Sequence, residues 1–424
     1  MGILYAAHPE LYGRVITWWI VGPGYHPFID WEWIPSSIDC WRQGVDVYRG
    51  NTCYHQIPFP YVNKYVYSPL LLRAEFLVAL QDAIMPVGAL LGGAFLVSLA
   101  ALPAPRTRLD VTARLLATLS SLTAFAVERA NSDLVVFVLL ILAIRLWSGR
   151  TAWRFAGYAV IIAAGLLKFY PFIALVIVLF ERPRIIAGVT AIAAAVVAIF
   201  VARYAVEFRE IAAAIPTGSY FLDMIGARNL IGGLTEIAVA VDGRLEGGGP
   251  LIPLIVRGGA YGLALITIGA LARRLIVPGG LVDAIGRLPR LEGGFLLAGS
   301  ALVCGCFFTA QSIGYRGILL LIVMPGLAAL AAGAARPVAR AMRRTLAAIV
   351  CVMWVLTILE AIKAAGLNPV HNGAGSVVGL LHWLAHELAW WWIVCVLCTI
   401  MIGFALVRFR GSQAIPMTCS PSRS

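Results

Sequence analysis

The sequence predicts an all-α polytopic membrane protein, a single integral-membrane domain over 1–424 built as a bundle of about 11–12 transmembrane helices. Three observations carry this expectation. Hydrophobic residues make up 61% of the chain and charged residues 13%, too few charges to coat a water-soluble fold of 424 residues. Apolar runs recur along almost the whole length, at the roughly 20 residues per crossing that a bilayer demands. Arginine gathers in every second link between those runs.

The apolar stretches fall at 84–103, 111–127, 134–147, 155–167, 170–180, 185–202, 251–272, 293–310, 317–334, 345–362 and 388–407. Their Ala, Leu, Val and Ile residues run together without the two-residue alternation of a transmembrane barrel. Residues 1–22 hold only the short run Val15–Gly22 after His8, Glu10 and Arg14, too short to cross unaided, so a first span is degraded, missing or replaced by a segment along the interface.

Lys and Arg total 33 against 21 acids, a net charge of +12. In a membrane chain such an excess reads first as topology, and nucleic acid is excluded as a partner. Arg106 and Arg108, Arg150 and Arg154, Arg182 and Arg184, Arg273 to Arg290, Arg336 to Arg344, and Arg408 and Arg410 occupy alternate links, which are therefore expected in the cytoplasm, with 409–424 as a cytoplasmic tail. The other set faces the periplasm or exterior. It includes two long segments, 23–75 and 203–250, rich in aromatic, Gly, Pro and charged residues. Long loops on one face of a rigid scaffold are where sites are built, so any chemistry is expected on the outer face.

The first outer segment crowds acids and aromatics: His26-Pro27-Phe28-Ile29-Asp30-Trp31-Glu32-Trp33, then Asp39-Cys40-Trp41. Asp30, in a Pro-bounded and Trp-flanked turn, is the candidate general base, with Glu32 and Asp39 as alternatives. Cys40 and Cys53 are placed where a disulfide is chemically allowed. Arg129, Lys168, Arg228 and Arg316 stand at outer ends of helices, where cations suit a phosphate at the membrane surface; snorkelling, or a pair such as Arg129 with Asp133, is the structural alternative. Residues 218–230, continued by an apolar stretch to about 241, read as an amphipathic helix lying on the membrane. His382 and His386 are four apart but lack the accompanying pattern of a metal helix and sit beside Trp390-Trp391-Trp392, so no metal site is expected there.

In its ordered motifs the chain resembles the GT-C membrane glycosyltransferases, and within them glycosyltransferase family 87. The residues that carry the resemblance are the early outer acid Asp30, the block Gly44-Val45-Asp46-Val47-Tyr48, Tyr67-Ser68-Pro69, Glu128-Arg129-Ala130-Asn131-Ser132-Asp133, and Lys168-Phe169-Tyr170-Pro171. The family has Pro-Pro or Ser-Pro after its tyrosine, and its first helix is better formed than this one. The resemblance implies a GT-C-like bundle with long outer loops, in a multi-pass plasma (inner) membrane protein whose active site faces outward. It implies transfer of a sugar, commonly mannose, from a polyprenyl-phosphate donor to a lipid or glycan acceptor. Asp30 is then the catalytic base, and Glu32, Tyr67, Arg129, Asn131, Lys168, Tyr170, Arg228 and Arg316 bind substrate.

No cofactor is expected beyond the lipid-linked donor, and a divalent ion is left open. The rival reading from another class is a transporter or a flippase of lipid-linked sugars. Such a carrier would set ionisable groups in mid-span, whereas these spans are nearly free of acids. A different GT-C reaction, such as protein mannosylation or transfer of another sugar, keeps the class.

Overall fold

The computed structural model describes residues 1–19, 26–50, 64–215, 218–221, 224–241, 251–371 and 373–413. The described chain is a helical bundle with one short two-stranded sheet. Each of the eleven apolar stretches falls on a helix or a bent helix pair, though 84–103 outruns its helix by four residues. Six helices are long and apolar enough to cross a membrane: Glu75–Leu99, Pro183–Arg203, Pro253–Leu275, Arg290–Thr309, Gly314–Gly333 and Val377–Phe409. Two bent pairs, Arg108–Thr118 with Ser121–Arg129 and Arg336–Met353 with Val355–Ala364, raise the number to eight. The chain is thus an all-helical, multi-pass protein by length and composition, with fewer full-length crossings than the 11–12 expected. The reason is length: Ser132–Trp147 has 16 residues and Tyr170–Phe180 has 11, the latter wound as a tight 3₁₀ helix.

Burial separates a centre from a lipid-facing rim. Along Arg290–Thr309, 83% of the best apolar window is buried, against 6% along Pro253–Leu275. In a bilayer the exposed apolar rim is the solvated surface, and only the centre needs close packing. There Arg290–Thr309 packs on Leu320–Gly333 through small residues on both sides. A Cβ on Gly299 would come within 2.6 Å of Val323, and one on Gly326 within 2.5 Å of Leu296. Val377–Gln413, a single helix of 37 residues, lies against Arg290–Thr309 and Arg336–Met353. It absorbs both the expected last span and His382–Glu387, which was expected only as an interfacial helix start; there the Trp390 indole donates to His386 at 3.0 Å.

The N-terminal residues form two short helices, Gly2–Ala7 and Pro9–Trp19. Eleven residues cannot span a bilayer, yet Tyr12 and Ile16 are buried and the segment packs on Val355–Ala364.

The long segment 203–250 is arranged differently from its sequence reading. Its helices are Ala205–Ala214 and Ala227–Val241, so the helix expected at 218–230 begins at Ala227. Met224–Ile225 instead form a strand antiparallel to Ser312–Ile313. Gly226 follows with φ +149°, where a Cβ would press on the Ala310 carbonyl. The Gln311 side chain seals the junction, accepting from the Gly218 amide at 3.0 Å and donating to Asn229 at 2.9 Å. The sequence pattern missed this because a two-residue strand has no periodicity to read.

Candidate functional site

Helix ends from four parts of the chain converge at one end of the bundle. Ser132–Trp147 starts there and runs to the opposite end, where Arg290 lies over the Trp147 ring at 4.4 Å. Thr151–Lys168 returns to the same point, and the Gly314–Leu319 turn brings in Arg316. The opposite end gathers the arginine-rich links, with Arg154 and Arg290 on Glu181 and Arg106 on Glu292. This separation of ends is what the alternating arginines predicted.

Asp30, expected in a Pro-bounded and Trp-flanked turn, lies in the first turn of a 14-residue helix, Ile29–Arg42. Helical geometry sends the two acids of that turn apart. Asp30 accepts from Asn131 Nδ2 at 2.7 Å, while Glu32 pairs with His26 at 2.8 Å. Asp39 bonds Gln43 at 2.8 Å and stands nine residues along, about 13 Å of helix away. Cys40, on the same helix, is disulfide-bonded; Cys53, its expected partner, lies outside the described residues.

Asn131 is the hub. It is buried and caps Ser132–Trp147, its Oδ1 accepting from the Asp133 amide at 2.9 Å. The same oxygen accepts from Lys168 Nζ at 2.9 Å, and the amide nitrogen also donates to Tyr315 at 2.8 Å. Tyr67 stands 3.4 Å from that nitrogen, its ring 5.2 Å from the Lys168 ammonium. The Tyr48 and Tyr65 rings, edge-on at 5.8 Å, and Tyr65 on Tyr67 at 5.7 Å prop this wall. The two tyrosine-containing motifs thus serve mainly to position Tyr67.

Below this lies Asp133, almost fully buried. It takes Lys168 at 2.9 Å, Arg316 Nε at 3.5 Å and the Tyr170 hydroxyl at 2.7 Å. Arg316 also donates to Ser312 at 2.6 Å, and its guanidinium lies over the Tyr170 ring at 5.0 Å. Arg129 pairs with Glu128 at 3.2 Å, not with Asp133 as the helical spacing proposed. The reason is local: Ala130, next in the chain, turns left-handed at φ 47° and ends the helix, so the i, i+4 geometry is lost.

A second left-handed residue, Phe28 at φ 70°, sits opposite. Its amide donates to the Glu128 carbonyl at 2.6 Å, and its ring fills the space where a Cβ on Gly88 would stand. Non-glycine residues in this region are strained by about 1–2 kcal/mol each, and such strain clusters at functional positions. Here both residues orient the Asp30 and Asn131 segments toward each other.

Electrostatically, Asp30 is half-buried, and desolvation raises its carboxyl above the ordinary aspartate value; Arg129, the Asn131 hydrogen bond and Lys168 oppose that rise. Among the described residues no hydrogen bond reaches its second oxygen, which is left to accept a proton. Arg129 and Arg316 are 20% and 22% exposed at the side chain and keep guanidinium N–H groups for a ligand, whereas the Lys168 ammonium, 12% exposed, directs its three N–H groups at Asn131, Ser132 and Asp133 and offers a ligand its charge.

The structure therefore brings together Asp30, Tyr67, Arg129, Asn131, Lys168, Tyr170 and Arg316. Glu32 stands one step behind, engaged by His26. Arg228 is not with them: it is exposed and lines a separate groove with Tyr220, Arg257 and Tyr261. Sequence reasoning did not assign Asp133, Tyr315 or Ser312 to the site. Tyr315 and Ser312 could have been found from the polar break Gln311-Ser312-Ile313-Gly314-Tyr315-Arg316 between two apolar runs. Comparison with known protein families, with curated proteins and with solved structures finds no match to this chain.

Proposed function

We infer that this chain is a membrane glycosyltransferase that moves a sugar, mannose first among the candidates, from a polyprenyl-phosphate donor to a lipid or glycan acceptor at the outer face of a plasma membrane. The observation that carries the reading is Asp30: a half-buried carboxylate held by one oxygen, beside three partly exposed cations, at the end of the bundle away from the arginine-rich links.

That arrangement fits an inverting displacement. Asp30 takes the proton of an acceptor hydroxyl as its oxygen bonds to the anomeric carbon, and the bond from that carbon to the phosphate oxygen breaks. The polyprenyl phosphate leaves with the electron pair. Its growing charge falls to Arg129, Lys168 and Arg316, of which the arginines offer forked N–H donors and the lysine a point charge. Asn131 contacts both the base and Lys168, and so fixes their separation. The raised pKa of Asp30, caused chiefly by its desolvation, strengthens it as a base.

The test is to incubate membranes containing the protein with radiolabelled polyprenyl-phosphate mannose and follow label into lipid, glycan and protein fractions. Label should move with the wild type and fall about 10²–10⁴-fold in Asp30→Asn at equal expression. No transfer above empty membranes would overturn the mannose assignment. Full activity in Asp30→Asn with collapse in Asp39→Asn would move the base, and full activity in Asp30→Asn, Glu32→Gln and Asp39→Asn would remove the mechanism.

A further inference from the structure

At the arginine-rich end, away from the Asp30 cluster, a cavity of about 690 Å³ opens between the loop after Leu99, the helix Arg108–Thr118 and the end of Ser132–Trp147. Its size falls within the range of small-molecule sites. Leu99, Leu102 and Leu321 line it on the apolar side, and Arg106, Arg114 and Arg145 enter it from three different elements.

The charges do not cancel. Arg106 is paired with Glu292, a buried acid that also lines the cavity. Arg114 is neutralised by Asp110, donating to it at 2.8 Å, and is held further by the Pro103 carbonyl. Arg145 is exposed, and its guanidinium makes no ion pair among the described residues. Three cations against two acids leave one positive charge, carried by Arg145. The helices that supply Arg114 and Arg145 also expose apolar side chains, Leu115 on the first, with Leu119 just past its end, and Leu142 one turn before Arg145 on the second.

We propose that this cavity binds a phosphate-bearing anion, and that its source is the headgroup of an anionic phospholipid. A phosphodiester would take the free Arg145 and the outward N–H groups of Arg106, while its acyl chains would lie along the exposed leucines. A basic chamber flanked by lipid-facing apolar surface selects a lipid over a soluble phosphate because both parts of the ligand find a partner. The site is independent of the glycosyltransferase reading, since it shares no residue with the Asp30 cluster.

The experiment uses the purified full chain in detergent, with native mass spectrometry of phosphatidylglycerol and phosphatidylcholine binding. The wild type should retain phosphatidylglycerol in preference to phosphatidylcholine. Arg145→Ala should weaken that retention about fivefold, the expected effect of one interfacial cation, and Arg145→Glu more. Arg184→Ala, exposed and outside the cavity, controls for general loss of positive charge. Neither Arg145 nor Arg184 holds a buried pair, so unfolding does not cloud the comparison. Equal retention of the two lipids, or equal loss in Arg145→Ala and Arg184→Ala, would overturn the proposal. A third arm adds inorganic phosphate: protection by phosphate without phosphatidylglycerol binding would overturn the lipid as source.

Discussion

His26 shows how a site residue can be supported without touching substrate. Its ring reaches the Glu32 carboxylate at 2.8 Å, and that hydrogen bond raises its pKa above the ordinary 6.5, burial opposing and the charges of Glu32 and Glu128 assisting. A raised folded value means the folded state favours the proton. The stabilisation is therefore complete below about pH 6.5 and is lost as pH climbs through the higher folded value. Thermal unfolding of the wild type and His26→Gln from pH 5.5 to 9 should show a gap that is widest at the acidic end and closes toward the alkaline end. A constant gap would assign the pair to packing alone. At this scale the sequence was legible for residues whose chemistry is rare near a membrane: Asp30, Lys168 and Arg316 were found. It was not legible for partner choice. Asp133 was matched with Arg129 by spacing, because nothing in the local pattern says that Ala130 turns left-handed and breaks the helix between them.

Among the elements, the short helix Ile29–Arg42 matters most. The sequence read its start as a Pro-bounded, Trp-flanked turn because Pro35 and six aromatic or acidic residues disguise an amphipathic pattern, yet Ile34 and Ile38 face inward and Gln81 ties Ser36 to the neighbouring segment at 3.3 Å. The helix is aimed by Phe28, whose ring occupies the surface of Gly88 on the helix Ile84–Leu99. Gly88→Ala should then overpack this contact, costing about 1–3 kcal/mol, and should lower turnover well beyond what stability explains, because Phe28 immediately precedes the Asp30 turn. Gly93→Ala, five residues along the same helix where an added Cβ meets nothing within 4 Å, should be silent. The readouts are thermal unfolding and sugar transfer for the same membrane preparations. If Gly88→Ala behaves like its neighbour, Phe28 is not what positions the acid.

For the whole molecule, the pattern of arginines and apolar runs was enough to separate two ends of the bundle and to put the arginine-rich links at one and the Asp30 cluster at the other. The number of crossings was less legible, since a run of apolar residues does not reveal whether its helix is full-length, bent or tightly wound. A topology experiment follows from the two ends. Cysteine introduced at Ser219 should label from the outside of sealed cells, and cysteine at Arg340 only after permeabilisation. Labelling of both from one side would undo the outward-facing site.

The strand pair between Met224–Ile225 and Ser312–Ile313 adds a mechanical consequence. Ser312 is at once a rung of that ladder and the acceptor for Arg316, whose other partner is the acid buried beneath the site. The long segment is thus geared to one of the cations, so that any tug on the segment is transmitted to the guanidinium through a few atoms. A load on Met224–Ile225 would then be felt at the Arg316 guanidinium through the Ser312 rung, far along the chain from where it was applied.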